Sequence, residues 1–403
     1  MASSAPQTTP TRWLGLNWQL SPTFGWGVLG LNLALEAEQD GRIAPVPFVP
    51  TIDCEAIPEQ YQPLIQRILA REKTAANLLR QHSGQRCHCD FPVIHTLGNR
   101  LMSNDAAEKV VGKVNLAIIF LEDTHLPGNA LEIAQRFGLI LAGSSWNEEV
   151  LRRNKILNVK TYLQGIDHSI FRPVSKTRST GAPFIVFSGG KLEYRKGQDI
   201  VVAAFRKFRR NHPEAILATA WHNHWPKSMI GIDHRGHVAG VPSAGADGQI
   251  DLTAWLEANG VPRSASYNLG VVPNHLMPRI HVQVDVALFP NRCEGGTNLM
   301  AMECLASGLP TILSANTGHL DLIDEGHCFP LWRQGRVDVV PPYAGTEGWG
   351  ESDVEEVLDA LERVYRDRAD AERRGAAAVR FMRDWPWRRR FEELVEHLDC
   401  LQP

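Results

Sequence analysis

Short apolar runs of strand length alternate with amphipathic stretches along this chain, a rhythm that predicts βα units on parallel sheets. In the first half, Trp13–Leu20, Ile43–Val49, Pro92–Leu97, Leu116–Leu121 and Leu139–Ala142 read as strands, with a helix over Gly27–Glu38. Ser145 and Glu148 have capping-box spacing and predict a helix to about Arg153. The stretch Arg172–Pro183 has no apolar period and reads as a linker. A second alternating set follows: strands at Phe184–Ser188, Ala215–Ala220, Val284–Phe289 and Thr311–Ser314, and helices at Asp199–Arg210, Leu252–Asn259 and Asn298–Ala306. His222–Gly248, rich in Gly, Pro and His, reads as a long loop, a length that usually signals function. A second capping box, Ser352 to Glu355, opens a helix over Val354–Arg366, and a last helical stretch from about Ala371 breaks at Trp385–Trp387. The expected fold class is α/β: two Rossmann-like doubly wound domains facing an interdomain cleft.

Composition narrows the function classes. At 403 residues the chain exceeds one ordinary core, and 43% apolar with 22% charged residues is globular rather than disordered. A net charge of −3 gives no global attraction to nucleic acid, so no nucleic-acid partner is expected. No apolar run approaches the roughly 20 residues of a membrane span, and Met1–Arg12 lacks the pattern of a secretory signal. Seven scattered cysteines read as reduced thiols, which with the other features predicts a cytoplasmic protein. The basic groups Lys207, Arg209, Arg210 and Arg383, Arg388, Arg389, Arg390 beside Trp385 and Trp387 could touch anionic headgroups. They read first as solvated helix faces, so peripheral membrane contact stays possible without support. Cys87-His88-Cys89 and the histidines at 222, 224, 234 and 237 match no metal-ligand spacing, so no metal site is expected.

Three motifs carry chemistry. Gly25-Trp26-Gly27-Val28-Leu29-Gly30 is a literal GxGxxG between a strand and a helix. It admits a dinucleotide site, a flexible cleft loop or plain helix–strand packing. The following strand carries Pro45 and Pro47, with no acidic residue before Asp53 to hold a ribose, which favours the cleft loop over a dehydrogenase. Next, Ser188 to Gly197 follows a strand and opens a helix; its glycines, Gly190 among them, and the cations Lys191, Arg195 and Lys196 suit a diphosphate. Finally, Phe289–Pro310 is a strand end, a turn with Gly295 and Gly296, Thr297 as a plausible N-cap, and a helix ending at Gly308. Glu303 lies inside that otherwise apolar helix, where an uncompensated carboxylate costs about 2–7 kcal/mol. Ligand hydroxyls, or a neighbouring backbone, would compensate it.

The last two motifs resemble the donor site of the family 4 retaining glycosyltransferases of GT-B fold. Lys191 and Lys196 match that family's pair of cations five apart, with Lys where the family usually has Arg. Gly165–Pro173 resembles the Gly-Val-Asp segment closing the first domain, Ala142–Asn147 the strand–helix junction before it, and Trp385–Leu398 the helix returning to the first domain. The resemblance covers about residues 140–400 and divides the chain into an acceptor-side domain (1–172), a linker (173–182), a nucleotide-sugar-binding domain (183–378) and a returning helix (379–403). The family's paired glutamates have seven residues between them and Glu294 and Glu303 have eight. Either Glu294 reaches the sugar after a one-residue bulge, or the backbone amides of Gly296–Asn298 replace it.

The resemblance implies retaining, metal-independent transfer of a sugar from a nucleotide-diphosphate sugar to a hydroxyl acceptor that is carbohydrate, lipid-linked or protein. The nucleotide sugar is a co-substrate; no cofactor is expected. Lys191, Lys196 and Glu294 would act at the departing diphosphate and sugar. Gly190, Arg195, Pro273, Asn274, Gly295, Gly296, Thr297, Asn298 and Glu303 would bind the donor. The acceptor would pass Gly25, Trp26, Gly27, His95, Glu122 and Asp123. A sugar-nucleotide epimerase of the same fold, or a non-catalytic nucleotide-sugar-binding protein, are the competing expectations.

Overall fold

The protein is described from a computed structural model over residues 12–81, 83–103, 108–173, 181–223, 225–245 and 248–401. His224, most of the expected linker and the first eleven residues lie outside the described residues. The first lobe contains β1 (Arg12–Asn17), α1 (Gly25–Asp40), β2 (Ile43–Pro47), α2 (Gln62–Gln81), β3 (Val93–Leu97), β4 (Asn115–Ile119), α3 (Ala130–Ala134), β5 (Leu139–Ala142), α4 (Ser145–Arg153) and β6 (Val159–Thr161). Its six strands are parallel in the order β2-β1-β3-β4-β5-β6. Pro45 and Pro47 are tolerated because β2 is the edge strand, pairing only with β1.

The second lobe repeats the plan with β7 (Ile185–Lys191), α5 (Gln198–Asn211), β8 (Ile216–His222), α6 (Leu252–Ala258), β9 (Ser266–Asn268), α7 (Met277–His281), β10 (Val286–Phe289), α8 (Leu299–Ala306), β11 (Thr311–Ser314) and β12 (Phe329–Leu331). This sheet is also six-stranded and parallel, in the order β9-β8-β7-β10-β11-β12. The α/β class and paired doubly wound sheets expected from the hydrophobic rhythm are therefore present. The edge strands β6, β9 and β12, three residues each, and the long helix α2 were not marked by that rhythm. Three residues carry too little periodicity to register.

Then come α9 (Val354–Arg366), α10 (Arg368–Met382) and α11 (Trp387–Leu401). α11 lies on the first lobe: Trp387, Phe391, Leu394 and Leu398 join the core formed by α1 and the first sheet. The break before it is clamped by Ile166 N–H donating to Trp385 O at 2.7 Å and by Tyr162 Oη donating to Arg390 O at 2.7 Å. Among the described residues no helix is long and apolar enough to cross a membrane. Arg388, Arg389 and Arg390 sit in ion pairs with Asp40, Glu392 and Glu393, which consumes much of the basic patch seen in the sequence.

Helix starts differ from expectation by one residue at each named cap. Ser144, not Ser145, caps α4 by accepting from Asn147 N–H at 3.1 Å, and Asp353, not Ser352, caps α9 by accepting from Glu356 N–H at 2.9 Å. Asn298, not Thr297, caps α8 with φ 63°, a left-handed value that Asn tolerates better than a β-branched residue. Neighbouring residues all able to cap leave the choice to tertiary contacts. Ser145, freed from capping, uses its N–H and hydroxyl to bind Asp321 of the second lobe at 2.8 and 2.6 Å.

Candidate active site

Two βα turns of the second lobe meet beneath the interlobe gap. β7 ends at Lys191, and the chain turns through Glu193–Lys196 into α5. Gly197, the α5 N-cap, has φ 68°, and a Cβ there would lie 2.3 Å from Pro290 O, so the two turns touch where only glycine fits. The backbone N–H groups of Arg292 and Cys293 donate to Arg195 O at 2.7 and 3.1 Å, locking the β10–α8 turn to the cationic loop. Beneath them Arg292, fully buried, donates two bonds to Asp199 (2.8 and 2.6 Å), one to Glu351 (3.0 Å) and one to Tyr194 O (2.8 Å). This buried network is the foundation of the site.

Of the expected residues, Lys196 and Arg195 meet Glu294, whereas Lys191 pairs with Glu193 and Glu303 lies apart. Lys196 Nζ lies 2.5 Å from Glu294 Oε1, and Arg195 Nη1 lies 3.3 Å from Glu294 Oε2. Lys191 Nζ lies 2.6 Å from Glu193 Oε1 and 4.7 Å from the centre of the Trp225 ring. Arg195 also contacts Glu193 at 2.8 Å and reaches across the gap to Glu122 at 3.3 Å. The hollow thus holds three cations against three carboxylates. Burial pushes the Glu294 carboxyl up, but Lys196 and Arg195 outweigh it and hold the group down at about 2. At Glu193 burial is likewise outweighed, by Arg195 and Lys191, and the carboxyl is lowered; at Glu122 burial wins and raises it.

The glycine-rich turn is pressed against the first lobe. A Cβ on Gly295 would sit 2.8 Å from Phe120 C, and one on Gly296 would sit 2.8 Å from the Phe120 ring. Ser144 Oγ donates to Gly295 O at 2.8 Å. Trp26 packs edge-on to Phe120 with ring centres 4.5 Å apart, which brings the start of α1 to the same wall; Gly25–Gly30 is thus helical and not the cleft loop expected. Gly25 faces open space, but Gly27 and Gly30 are packing glycines: a Cβ on either would collide with Ser21 or Trp18. Thr297 is buried, its hydroxyl directed at Gln164 Oε1 (3.4 Å) and Met302 Sδ (3.0 Å) rather than capping α8. Asn298 Nδ2 lies 3.1 Å from His319 Nε2, and the other nitrogen of that ring lies 3.0 Å from Ser314 Oγ. Burial lowers His319 to about 4, so the ring is neutral and accepts from Asn298.

Glu303 lies apart from these groups, one helix turn into α8. It is buried, its one hydrogen-bond partner among the described residues is Asn274 Nδ2, and burial pushes its carboxyl up to about 8. Pro273 is the N-cap of the turn that carries Asn274, and Asn274 N–H faces Pro22 O of the first lobe at 3.4 Å.

Two acceptor-side expectations are corrected. His95 is inside the first sheet, with Nδ1 3.2 Å from Asn17 Nδ2 and Nε2 2.9 Å from Asn115 Oδ1; both nitrogens are engaged and the ring is not at the gap. Asp123 is consumed by structure: it accepts from the N–H groups of Ala344 (3.1 Å) and Gly345 (2.8 Å). Those residues belong to a strap between β12 and α9 that crosses onto the first lobe, where Trp349 Nε1 donates to Glu122 O at 3.0 Å. The sequence reading missed the strap, Glu193, Trp225, His319 and the Arg292 network. Glu193 alone had a local signal, lying between two members of the cationic motif. His234 and His237 face Asp338 and Glu351 at 3.3 and 3.1 Å, and among the described residues no group of three or more His, Cys, Asp or Glu could hold a metal ion.

The sequence matches the family model described as Family 4 Glycosyltransferase in conflict systems over residues 146–394. No curated protein matches it. Solved structures share the GT-B fold at low identity. Sucrose-phosphate synthase from Thermosynechococcus elongatus aligns with a TM-score of 0.64 and 14% identity, covering 97% of this chain and 99% of that one. HepE from Anabaena, in complex with UDP, aligns with a TM-score of 0.59 and 13% identity over 96% and 100% of the two chains. A glycosyltransferase from Rickettsia africae aligns with a TM-score of 0.60 and 11% identity over 97% and 98%.

Proposed function

The chain belongs to the family 4 glycosyltransferases of conflict systems, and from that premise we propose that it moves a hexosyl group from a nucleotide-diphosphate sugar to a hydroxyl acceptor with retention of configuration. The observation that carries this reading is the meeting of the cationic loop with the glycine turn, where Arg195 and Lys196 contact Glu294 and Lys191 lies in the same loop on Glu193. Breaking the anomeric C–O bond leaves negative charge on the departing diphosphate, and fixed cations in a water-poor hollow stabilise that charge most where it develops. Lys191 and Lys196 would take the phosphates, leaving their present carboxylate partners. Glu294 and the amides of Gly296–Asn298 would then hold sugar hydroxyls.

Glu303 would accept from the ribose hydroxyls in place of Asn274, and the Pro273–Asn274 turn would meet the base. A uridine nucleotide, the ligand held by HepE, is the first donor to test. The acceptor oxygen would attack from the face the diphosphate leaves, giving its proton to the leaving phosphate, so no protein nucleophile is needed. Three cations at the phosphates make the reaction independent of divalent metal. The described cysteines are all free thiols, which supports action in the cytoplasm.

The test is Lys196→Ala beside Lys191→Ala. Each is expected to lower transfer from UDP-sugar on the order of 10²–10³-fold, with the circular dichroism of the folded chain retained. Turnover undiminished in both variants would remove the assignment.

A further inference from the structure

The interlobe gap has a second opening, away from the cationic hollow. Beyond Asn274 the loop of the first lobe carrying Pro58 and Gln60 faces α7 of the second, and between them lies a cavity of about 480 Å³. Its polar lining is Gln60, Ser169, Arg172, His275 and Arg279, drawn from both lobes and the segment joining them. Among the described residues no carboxylate lines it. That absence is unusual in this molecule, where most guanidinium groups near the gap are matched: Arg195 by three carboxylates, Arg292 by two and Arg100 by Asp123.

Among the described residues neither Arg172 nor Arg279 has an ion-pair partner, and His275 Nδ1 is buried without a hydrogen-bond partner. Asp167, two residues before the lining Ser169, is already engaged by Tyr61 Oη at 2.5 Å and Ser169 Oγ at 2.7 Å. Two free guanidinium forks and an unsatisfied imidazole around one opening are a donor set for a tetrahedral oxyanion.

We propose that this crevice binds a phosphate group, free or esterified, of a second ligand distinct from the donor diphosphate. Because its donors come from both lobes, the bound phosphate ties them together. Because His275 adjoins Asn274, which holds Glu303, occupancy is sensed at the nucleoside end of the donor site. The same chemistry is offered by the phosphate of a phosphorylated sugar and by free phosphate, either serving as a regulator.

The experiment titrates the full chain by calorimetry with inorganic phosphate and with glucose-6-phosphate, in wild type, Arg279→Glu, Arg172→Glu/Arg279→Glu and Lys196→Ala. Both arginines are exposed, so the variants should fold, and the conservative Arg279→Lys should restore part of the affinity. The expected result is binding that weakens about 10- to 100-fold with Arg279→Glu and survives Lys196→Ala. Tighter binding of the sugar phosphate identifies a phosphate monoester as the ligand; equal binding of the two probes identifies free phosphate. Binding of neither probe at millimolar concentration, survival of binding in the double variant, or its loss in Lys196→Ala would overturn the proposal. UDP binding measured alongside keeps this outcome separate from the fate of the transferase reading.

Discussion

Glu303 is the residue whose chemistry differs most from that of a surface glutamate. Its carboxyl is held at about 8 in the folded chain against an ordinary 4.5, because burial leaves it only a neutral amide for company. Between those two values the folded protein keeps a proton that the unfolded chain gives up. Stability from this group is therefore complete below about pH 4.5 and is lost as pH rises to 8. Glu303→Gln, which cannot ionise, should melt higher than wild type at pH 8, by something on the order of 2–4 kcal/mol, with the gain fading towards pH 5. The same variant should bind UDP more weakly, since an amide is the poorer acceptor for a pair of hydroxyls. Thermal melts at both pH values and one titration check both halves. Residue-scale reading from sequence did find Glu303, because a lone acid in an apolar helix is visible in any one-letter string. It placed His95 at the gap wrongly, since nothing in the string says which strand position faces inward and which asparagines lie across the sheet.

At the scale of elements, the cationic loop and the glycine turn are held in place by a side chain that touches neither. Arg292 lies next to the turn in sequence, yet its partners Asp199 and Glu351 come from α5 and from the strap's end. At Glu351 burial is overcome by His237 and Arg292, which hold the carboxyl down at about 2. Removing the arginine strands the buried Asp199, while Glu351 keeps Arg235 and His237, a loss of about 3–5 kcal/mol by comparison with other buried pairs. Arg292→Leu should therefore unfold at markedly lower urea at pH 7. The gap should narrow towards pH 4, where the one carboxylate left behind in the variant can take up a proton; an equal gap at both pH values would contradict this account. The strands and helices around the site were largely legible because each alternation of apolar runs is local. The caps slipped by one residue, and the Arg292 network was invisible, because both are decided by groups far away in the chain.

Over the whole molecule, the gap is closed on one side by the strap and by the Ser145–Asp321 bonds, and open on the other at the crevice below α7. The strap could not be read from the sequence, since Val337–Trp349 has loop composition and its partner Asp123 looks like a site residue until its bonds are seen. Sequence motifs mark the second lobe well, whereas the first lobe offers mainly its architecture. The two lobes also share a core, in which Tyr194, Cys293 and Trp349 pack with Leu97, Ile119 and Trp146. Removing α11 should bare the strip of α1 that Phe391, Leu394 and Leu398 cover. A chain ending at Asp384 should bind a hydrophobic dye such as ANS, and aggregate, where the full chain does neither.

That arrangement has a meaning for synthesis on the ribosome. The helix that finishes the first lobe is translated after the entire second one, so the nascent first lobe emerges with an apolar seam uncovered until Trp387–Leu401 arrives. Translation speed and holding chaperones, rather than the intrinsic merit of the first sheet, would then govern how much of this protein a cell recovers in native form.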